Sequence, residues 1–318
     1  MNELEQVLRF FPLEIYVNIT DYIKENENIA QDIQEIRIRT DKPIVLKIDN
    51  SNKILKHKVT QEETLRIFEK ICDNSIYSYR KQICEGFITV KGGHRIGITG
   101  NVVMEENKVI NINYISSLNF RIARQKPDSS NYALKHIINL EENNIYNTLI
   151  VSPPGCGKTT VLRDVVRKLS NGIKEYNFRG RTIGLVDERG EIAAMYKGIP
   201  QNDIGARTDV IDNITKDRGM KLLVRSMSPE IIACDEIGSK EDTEAINYAI
   251  CSGVKGIFTA HGGDIEEINL NPELADLIKK HLFEKIIFLE SNKKGIISEV
   301  YELDKRNKEY KNLKISSK

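Results

Sequence analysis

The feature that most constrains the fold is the stretch V-S-P-P-G-C-G-K-T-T, residues 151–160, which an apolar run precedes and an amphipathic run follows. It fits the phosphate-binding loop pattern G-x-x-x-x-G-K-[ST], except that Ser152 stands where the pattern begins with glycine. Such a loop needs a strand before it and a helix after it, because successive N–H groups and the helix N-terminus must face the phosphates. The stretch therefore predicts a strand at 147–151 and a helix at 158–169, with a nucleotide site between them.

The residue types of the loop predict how it serves an ATP molecule and its Mg²⁺ ion. Gly155 and Gly157 allow the backbone to approach the phosphates, and serine is small enough for the entry turn at 152. Lys158 is expected to bridge the β- and γ-phosphates, and Thr159 to place its hydroxyl on Mg²⁺. An incidental lysine after a Pro-Pro-Gly turn is the alternative, which the flanking strand and helix disfavour. The predicted nucleotide-binding residues are Ser152, Pro153, Pro154, Gly155, Cys156, Gly157, Lys158, Thr159 and Thr160.

Alternating strands and helices continue after the loop, with strands expected at 182–186, 231–234 and 256–260 and a helix at 240–251. Such alternation is typical of an α/β fold with a mainly parallel sheet and helices on both faces. Ligands of such sheets bind beyond the carboxyl ends of the strands.

The N-terminal part of the chain predicts a smaller mixed α/β domain. Helices are expected at 4–11 and 13–25, on either side of Pro12, and Thr60 begins a capping box that opens a helix to about Tyr77. A half-buried strand at 35–39 and a β-hairpin around Gly92-Gly93 complete this region.

The domain boundary is expected in the polar, turn-rich stretch 126–130. We therefore expect an N-terminal domain over 1–125 and a P-loop domain over 126–318. The lysine-rich tail from about Lys305 is expected to be frayed and solvated.

Two apolar strands end in paired acidic residues. After 231–234, Asp235 is expected to hold Mg²⁺ and Glu236 to orient the attacking water; an exposed acidic turn is the alternative. After 182–186, Asp187 and Glu188 predict a second metal or water contact, or else a solvated turn. His261 follows the last strand and either hydrogen-bonds the γ-phosphate or has a structural role.

The ordered boxes of the chain are the phosphate loop, the Asp187-Glu188 box, Arg225 leading into 231–236, and the box at 259–261. In this order they resemble the type II/type IV secretion ATPase superfamily. Within it the chain is most similar to the family of stage III sporulation protein AA, whose pattern also includes 35–39, 86–97 and 119–124. The resemblance covers roughly residues 35–265, and the ordered set of boxes is more specific than the phosphate loop alone.

The resemblance implies a RecA-like ATPase domain that works in a self-assembled ring, usually a hexamer. It implies a cytoplasmic motor docked on membrane-embedded proteins of a sporulation channel complex, on the mother-cell side. It favours Arg121 and Arg124, at the junction of the domains, as arginines that act on the phosphates; surface salt bridges are the alternative, and Arg207 and Arg225 are further candidates.

The chain departs from the superfamily pattern at both acidic boxes. Secretion ATPases commonly have glycine where this chain has Asp235, and their first acidic box ordinarily supplies a catalytic glutamate, a place that Asp187 and Glu188 share here. The carboxylate that activates water therefore stays open between Glu236 and Glu188. Glu236 is favoured because Asp235-Glu236 has the form general to ATPases.

The composition limits the classes of partner that we expect for this chain. A net charge of +1 and 7% aromatic residues, with no cluster of basic and aromatic residues, give no reason to expect nucleic-acid binding. We expect no signal peptide and no direct membrane insertion. The five cysteines are scattered without a CxxC pair, which favours a reducing cytoplasm.

The alternatives to a motor are a nucleic-acid-dependent ATPase and a nucleotide-gated assembly scaffold with little turnover.

Overall fold

The structure is a computed structural model that describes residues 3–26, 29–49, 51–290 and 295–313. The chain folds as two compact units. The first comprises Met1–Arg124 and Ala194–Gln201, and the second comprises Gln125–Ala193 and Asn202–Lys318. Among the described residues, no helix combines the length and the apolar character that a membrane crossing requires.

The first unit is a mixed α/β domain, as predicted. Its helices and strands, in chain order, are α1 (Glu3–Leu8), α2 (Leu13–Glu25), β1 (Ile33–Arg39), β2 (Pro43–Ile48), β3 (Ser51–Lys58), α3 (Gln61–Ile71), α4 (Arg80–Cys84), β4 (Phe87–Thr89), β5 (Arg95–Glu105) and β6 (Lys108–Arg121).

The local signals of the first unit are confirmed in type, although some boundaries differ. Helix α2 begins directly after Pro12, and the capping box of Thr60 and Glu63 is formed with N–H···O distances of 3.1 and 2.8 Å. Helix α3 ends at Ile71, earlier than the predicted Tyr77, because Asp73 and Asn74 adopt left-handed backbone conformations that end a helix. The hairpin at Gly92-Gly93 joins β4 and β5 as predicted.

An antiparallel sheet in the order β3-β2-β1-β6-β5-β4 carries the core of the first unit. Phe120 of β6 is fully buried, and its ring centroid lies 4.7 Å from that of Phe11 and 6.3 Å from that of Phe10. Burial of such aromatic rings supplies a large part of the stability of a small domain.

The segment 194–201 is a tight hairpin that belongs to the first unit although it follows Ala193 of the second. Tyr196 and Ile199 exchange two backbone hydrogen bonds of 2.9 and 3.0 Å. The two residues between them, Lys197 and Gly198, have φ values of 50° and 78°, as a two-residue β-turn of this hand requires.

Asp73 is the main anchor of this hairpin. One oxygen of its carboxylate accepts hydrogen bonds from Lys197 Nζ at 2.7 Å and from the hydroxyls of Tyr196 and Tyr79 at 3.0 Å each. Asp73 and Lys197 are 124 residues apart, and a contact over such a distance leaves no local pattern in the sequence. The sequence therefore did not predict that this hairpin belongs to the first unit.

The second unit contains the phosphate loop. Its helices and strands are α5 (Asn131–Ile137), β7 (Ile138–Asn139), β8 (Asn144–Ile145), β9 (Thr148–Ser152), α6 (Lys158–Asn171), β10 (Gly172–Ile173), β11 (Phe178–Arg179), β12 (Ile183–Asp187), β13 (Thr208–Asp212), α7 (Lys216–Ser226), β14 (Ile231–Cys234), α8 (Lys240–Cys251), β15 (Lys255–His261), α9 (Ile265–Leu270), α10 (Pro272–Lys279), β16 (Lys285–Leu289), β17 (Ile297–Asp304) and β18 (Glu309–Leu313).

The predicted parallel sheet is confirmed and is larger than expected. Eight described strands run in the order β13-β12-β14-β15-β9-β16-β17-β18, and the first six of these are parallel. Strands β9, β12, β14 and β15 and helices α6 and α8 lie within two residues of their predicted bounds at each end. Because β14, β15 and β9 are neighbours, the residues that follow them lie at one edge of the sheet.

The expectation of a frayed tail from Lys305 is wrong for the part of the tail that the structure describes. Residues 309–313 form β18, which pairs antiparallel with β17. Lys305 Nζ lies 2.8 Å from Glu284, and the Tyr310 hydroxyl donates to the Phe283 carbonyl at 2.8 Å. These long-range contacts outweigh the polar composition on which the expectation rested; residues 314–318 lie outside the described residues.

The anchoring of the 194–201 hairpin should depend on pH. The hydrogen bond from Lys197, aided by the two tyrosine hydroxyls, holds the pKa of Asp73 below its usual value. A depressed pKa in the folded state stabilises the hairpin above the unfolded-state pKa of about 4, and this stabilisation is lost as the pH falls through the folded-state value. We expect protection of the Tyr196 and Ile199 amides in hydrogen exchange, corrected for intrinsic rates, to decrease between about pH 5 and pH 2.

The matched control is Asp73→Asn, which removes the titrating group. In that variant we expect protection that is weaker at neutral pH and nearly independent of pH. Equal protection profiles in the two proteins would contradict the anchoring role of Asp73.

Candidate functional site

The loop between β9 and α6 has the backbone of a phosphate-binding loop. Gly157 is the N-cap of α6 with φ of 92°, and Gly155 has φ of 79°. Both values lie in the left-handed region, where a residue with a Cβ is strained. The two glycines therefore stand where the backbone needs them.

Serine replaces the first glycine of the pattern without strain. Ser152 is the last residue of β9, where the backbone is extended, and it pairs in register with His261 of β15. Its buried hydroxyl donates to the Pro153 carbonyl at 3.0 Å. No left-handed conformation is required at this position, so the substitution leaves the loop intact.

Lys158 is buried at the start of α6 and is bonded to its own loop. Its Nζ donates to the carbonyls of Ser152 at 2.6 Å and Pro153 at 3.1 Å, and it lies 3.1 Å from His261 Nδ1. Burial lowers the pKa of Lys158, and the nearby charges of Asp235 and Glu236 oppose this shift.

His261 links this lysine to Glu236. An ammonium group only donates, so Nδ1 of His261 accepts and the ring proton is on Nε2. That nitrogen lies 3.0 Å from Oε1 of Glu236. A network of three side chains therefore runs from the phosphate loop to the end of β14.

Asp235 joins the loop helix to the strand ends. Thr159 Oγ1 donates to its Oδ2 at 2.6 Å, and the Thr259 hydroxyl of β15 donates to Oδ1. A threonine hydroxyl beside one carboxylate suits Mg²⁺, which prefers oxygen ligands and usually completes its shell with water and substrate phosphates. Among the residues that the structure describes, no group of three or more His, Cys, Asp and Glu side chains makes a metal site by itself.

Glu236 and Glu188 both line a small cavity at the strand ends. The cavity has a volume of about 20 Å³, enough for one water molecule, and its lining consists of Val186, Asp187, Glu188, Arg189, Glu191, Lys216, Asp235 and Glu236. Glu236 accepts from Arg189 Nη1 at 2.6 Å through Oε2, whereas Glu188 lies 3.6 Å from Lys216 Nζ. The cavity thus has carboxylates from both acidic boxes.

Asp187 has a structural role in the turn after β12. Its carboxylate is buried and accepts hydrogen bonds from the backbone N–H groups of Glu191, Ile192 and Ala193 at 2.8–3.1 Å. Burial of a carboxylate requires such partners, so this residue is not the solvated turn that stood as the alternative. The second metal or water contact expected at Asp187 and Glu188 stays a prediction.

The remaining predicted residues occupy several surroundings. In the loop, Cys156 Sγ donates to the Pro154 carbonyl at 3.7 Å, and the Thr160 carbonyl accepts from Ser129 at 3.2 Å. In the first unit, Arg121 lies 3.6 Å from Glu35, and Arg124 donates to the carbonyls of Ile33 and Ala30.

The two further arginine candidates contact their own unit. Arg207 donates to the Ser170 carbonyl at 2.9 Å, and the Arg225 guanidinium lies 5.8 Å from the centre of the Tyr248 ring.

Two cations at the site, Arg189 and Lys216, were not among the predicted site residues. Arg189 was visible as the residue after Glu188, but its pairing with Glu236 spans 47 residues. Lys216 Nζ donates to the Glu236 carbonyl at 2.6 Å across 20 residues, and no spacing pattern indicates such a contact. The Arg189 contact arises because β12 and β14 are neighbours in the sheet, whereas Lys216 reaches Glu236 from the start of α7.

Comparison with solved structures defines the class of this fold. The structure is similar to that of the ATPase DotB of Legionella pneumophila, with a TM-score of 0.57 and 15% sequence identity. The match covers 91% of this chain and 81% of the DotB chain. The structure is also similar to the pilus retraction motor PilT, solved with bound ADP, with a TM-score of 0.51, 17% identity and coverage of 85% and 77%. The chain therefore has the RecA-like fold of secretion and pilus ATPases, with an N-terminal antiparallel sheet domain.

Sequence comparison gives the particular family. The family model described as sporulation stage III, protein AA matches residues 3–308. Stage III sporulation protein AA of Bacillus subtilis is 37% identical over 305 residues, which are 96% of each chain. The chain belongs to this family. SEEDLING PLASTID DEVELOPMENT 1 of Arabidopsis thaliana is 33% identical over 132 residues, which are 41% of this chain and 18% of that protein.

The structural role of Asp187 can be separated from the chemistry of Glu188. Asp187→Ala leaves three backbone N–H groups without their carboxylate, so we expect the free energy of unfolding to fall by about 3–5 kcal/mol. Glu188→Ala should cost under about 1 kcal/mol, since this side chain is 34% exposed and its lysine contact is long. Chemical denaturation of both variants measures the difference, and equal losses would contradict the role given to Asp187.

Proposed function

We propose that this protein is a Mg²⁺-dependent ATPase whose turnover drives movement in a sporulation-linked secretion or channel complex. The observation that supports it best is the meeting of Thr159 and Asp235 at 2.6 Å beside a loop lysine. A P-loop hydroxyl and an acidic strand end are the parts with which P-loop NTPases hold the metal of a nucleotide.

The proposal assigns a task to each residue at the sheet edge. Backbone N–H groups of 152–160 bind the phosphates, Lys158 moves from its own carbonyls to the β- and γ-oxygens, and Thr159 and Asp235 hold Mg²⁺. With Mg²⁺ bound, charge that develops on the transferring phosphoryl group is neutralised.

Glu236 is the proposed residue that orients the attacking water. It is joined to Lys158 through His261, whereas Glu188 contacts Lys216, which lines the same cavity. His261 also gives the site a means to sense the γ-phosphate, because movement of Lys158 removes the donor at Nδ1. Glu188 then has a supporting role at the cavity.

The assembly belongs to the same proposal. We propose a ring, with six copies as the expected number, that docks from the cytoplasm on membrane-embedded proteins on the mother-cell side. The family and the similarity to secretion ATPases support its coarser part, an oligomeric assembly with a sporulation complex. Arg121 is the better placed of the two junction arginines for a phosphate contact in that ring, since its side chain is 62% exposed and Arg124 is bonded to two carbonyls.

The first test is Lys158→Ala in the full chain. Because it removes the ammonium group that stabilises the phosphates, we expect ATP turnover to fall by about 10²–10³-fold. Phosphate release at saturating ATP-Mg²⁺ is the measurement, and circular dichroism verifies the fold. Lys168→Ala on the same helix is the matched control, since Lys168 pairs with Asp128 and lies away from the strand ends.

Full activity of Lys158→Ala would refute the site. Two other outcomes distinguish the alternative functions: strong stimulation of turnover by single-stranded DNA favours a nucleic-acid-dependent ATPase, and tight ATP binding without phosphate release favours a nucleotide-gated scaffold.

The second test compares Glu236→Gln with Glu188→Gln. Each substitution is isosteric and removes one carboxylate from the same cavity. We expect turnover to fall by about 10²–10⁴-fold for Glu236→Gln, with ATP binding retained, because loss of a general base affects the chemical step. Glu188→Gln should cost much less, and the reverse order would move the role of base to Glu188.

A further inference from the structure

The backbone at Glu236 is unusual and requires an explanation. Its φ is 55°, in the left-handed region that residues other than glycine seldom adopt. Such a conformation is energetically unfavourable and persists only where the surrounding structure stabilises it. The residue in this conformation is the one whose carboxylate lies between His261 and Arg189.

Two side chains hold this backbone, one on each peptide group. The Glu236 N–H donates to the Thr259 hydroxyl at 2.8 Å, and the Glu236 carbonyl accepts from Lys216 Nζ at 2.6 Å. Thr259 is fully buried in β15, and the Lys216 side chain is 18% exposed. Both side chains are thus protected from competition by water. Their hydrogen bonds to the Glu236 backbone are therefore stronger and favour a single backbone conformation.

Lys216 is itself fixed in place. It is the first residue of α7, and its Nζ lies 3.6 Å from Glu188 Oε2 and 3.6 Å from Asp242 Oδ2. Asp242 belongs to the capping box of α8, where its carboxylate accepts from the N–H groups of Gly238 and Ser239. The ammonium group therefore contacts residues that follow β12 and β14, and the Glu236 carbonyl is the nearest of these three partners.

We propose that Lys216 is a positioning residue that keeps Glu236 in its left-handed conformation and so aims the carboxylate at the attacking water. The inference rests on the proposed function, since it gives Lys216 an effect on turnover that acts through Glu236. In the structure Lys216 contacts the Glu236 carbonyl, Glu188 and Asp242. Its loss should affect the chemical step and leave ATP binding nearly unchanged.

The test uses Lys216→Met, which keeps the length of the stem and removes the donor. A displacement of a catalytic group by about 1 Å can cost on the order of 100-fold in rate, so we expect kcat to fall by about 10- to 100-fold. The KM for ATP should change by less than about 3-fold, since only the transition state loses an interaction. Lys216→Arg keeps a donor at this place and should recover most of kcat.

A matched control is Lys221→Met, which makes the same change on the same helix. We expect this variant to keep the wild-type kcat. Thermal unfolding of all variants shows whether they fold. If Lys216→Met does not fold, the kcat of Lys216→Arg supplies the measurement. Wild-type kcat in Lys216→Met, or a loss in Lys216→Arg as large as in Lys216→Met, would overturn the inference.

A double-mutant cycle with Glu236→Gln separates this inference from the proposed function. If Lys216 acts through Glu236, Lys216→Met should cause no further loss of kcat in the Glu236→Gln background. Independent, multiplicative losses would overturn the role of Lys216 and leave the ATPase proposal standing. A wild-type rate for Glu236→Gln alone would instead refute the role of Glu236 in the proposed function, and the inference with it.

Discussion

The site depends on the hydrogen bonds that the carboxylate of Asp235 accepts. This carboxylate accepts hydroxyl hydrogen bonds from Thr159, at the start of the loop helix, and from Thr259, on the neighbouring strand. A half-buried carboxylate is costly without such partners, so its presence ties the phosphate loop to the strand ends. The geometry of the loop and that of the acidic motif are therefore set together.

Two aspartates that have similar places in the sequence have different roles in the structure. Asp187 and Asp235 both follow an apolar strand, yet Asp187 is bound by three backbone N–H groups and Asp235 by two hydroxyls. The first carboxylate stabilises a turn, and the second joins the phosphate loop to the sheet. The acidic pairs therefore have different chemistry in spite of similar sequence contexts.

Several local features were predictable because they arise from residues close in the chain. The capping box at Thr60, the break at Pro12 and the hairpin at Gly92-Gly93 follow from such short-range signals, and the structure has all three. The strands and helices around the phosphate loop were also found, since their apolar periodicity is strong. No local signal indicated β2, β3 and β6 of the first unit or the strands from Lys285 onward. The polar composition of the tail predicted fraying, whereas Tyr310 is bonded to Phe283.

The sequence by itself determined the parallel sheet, the phosphate loop and the set of polar residues at its edge, because strand, loop and helix signals are local. Only the tertiary structure decided which of those residues meet. The pairing of Arg189 with Glu236, the hold of Lys216 on the Glu236 carbonyl and the place of the 194–201 hairpin in the first unit depend on distant segments. The physical reason is that hydrogen bonds between strand ends follow the order of strands in the sheet, which differs from their order in the chain.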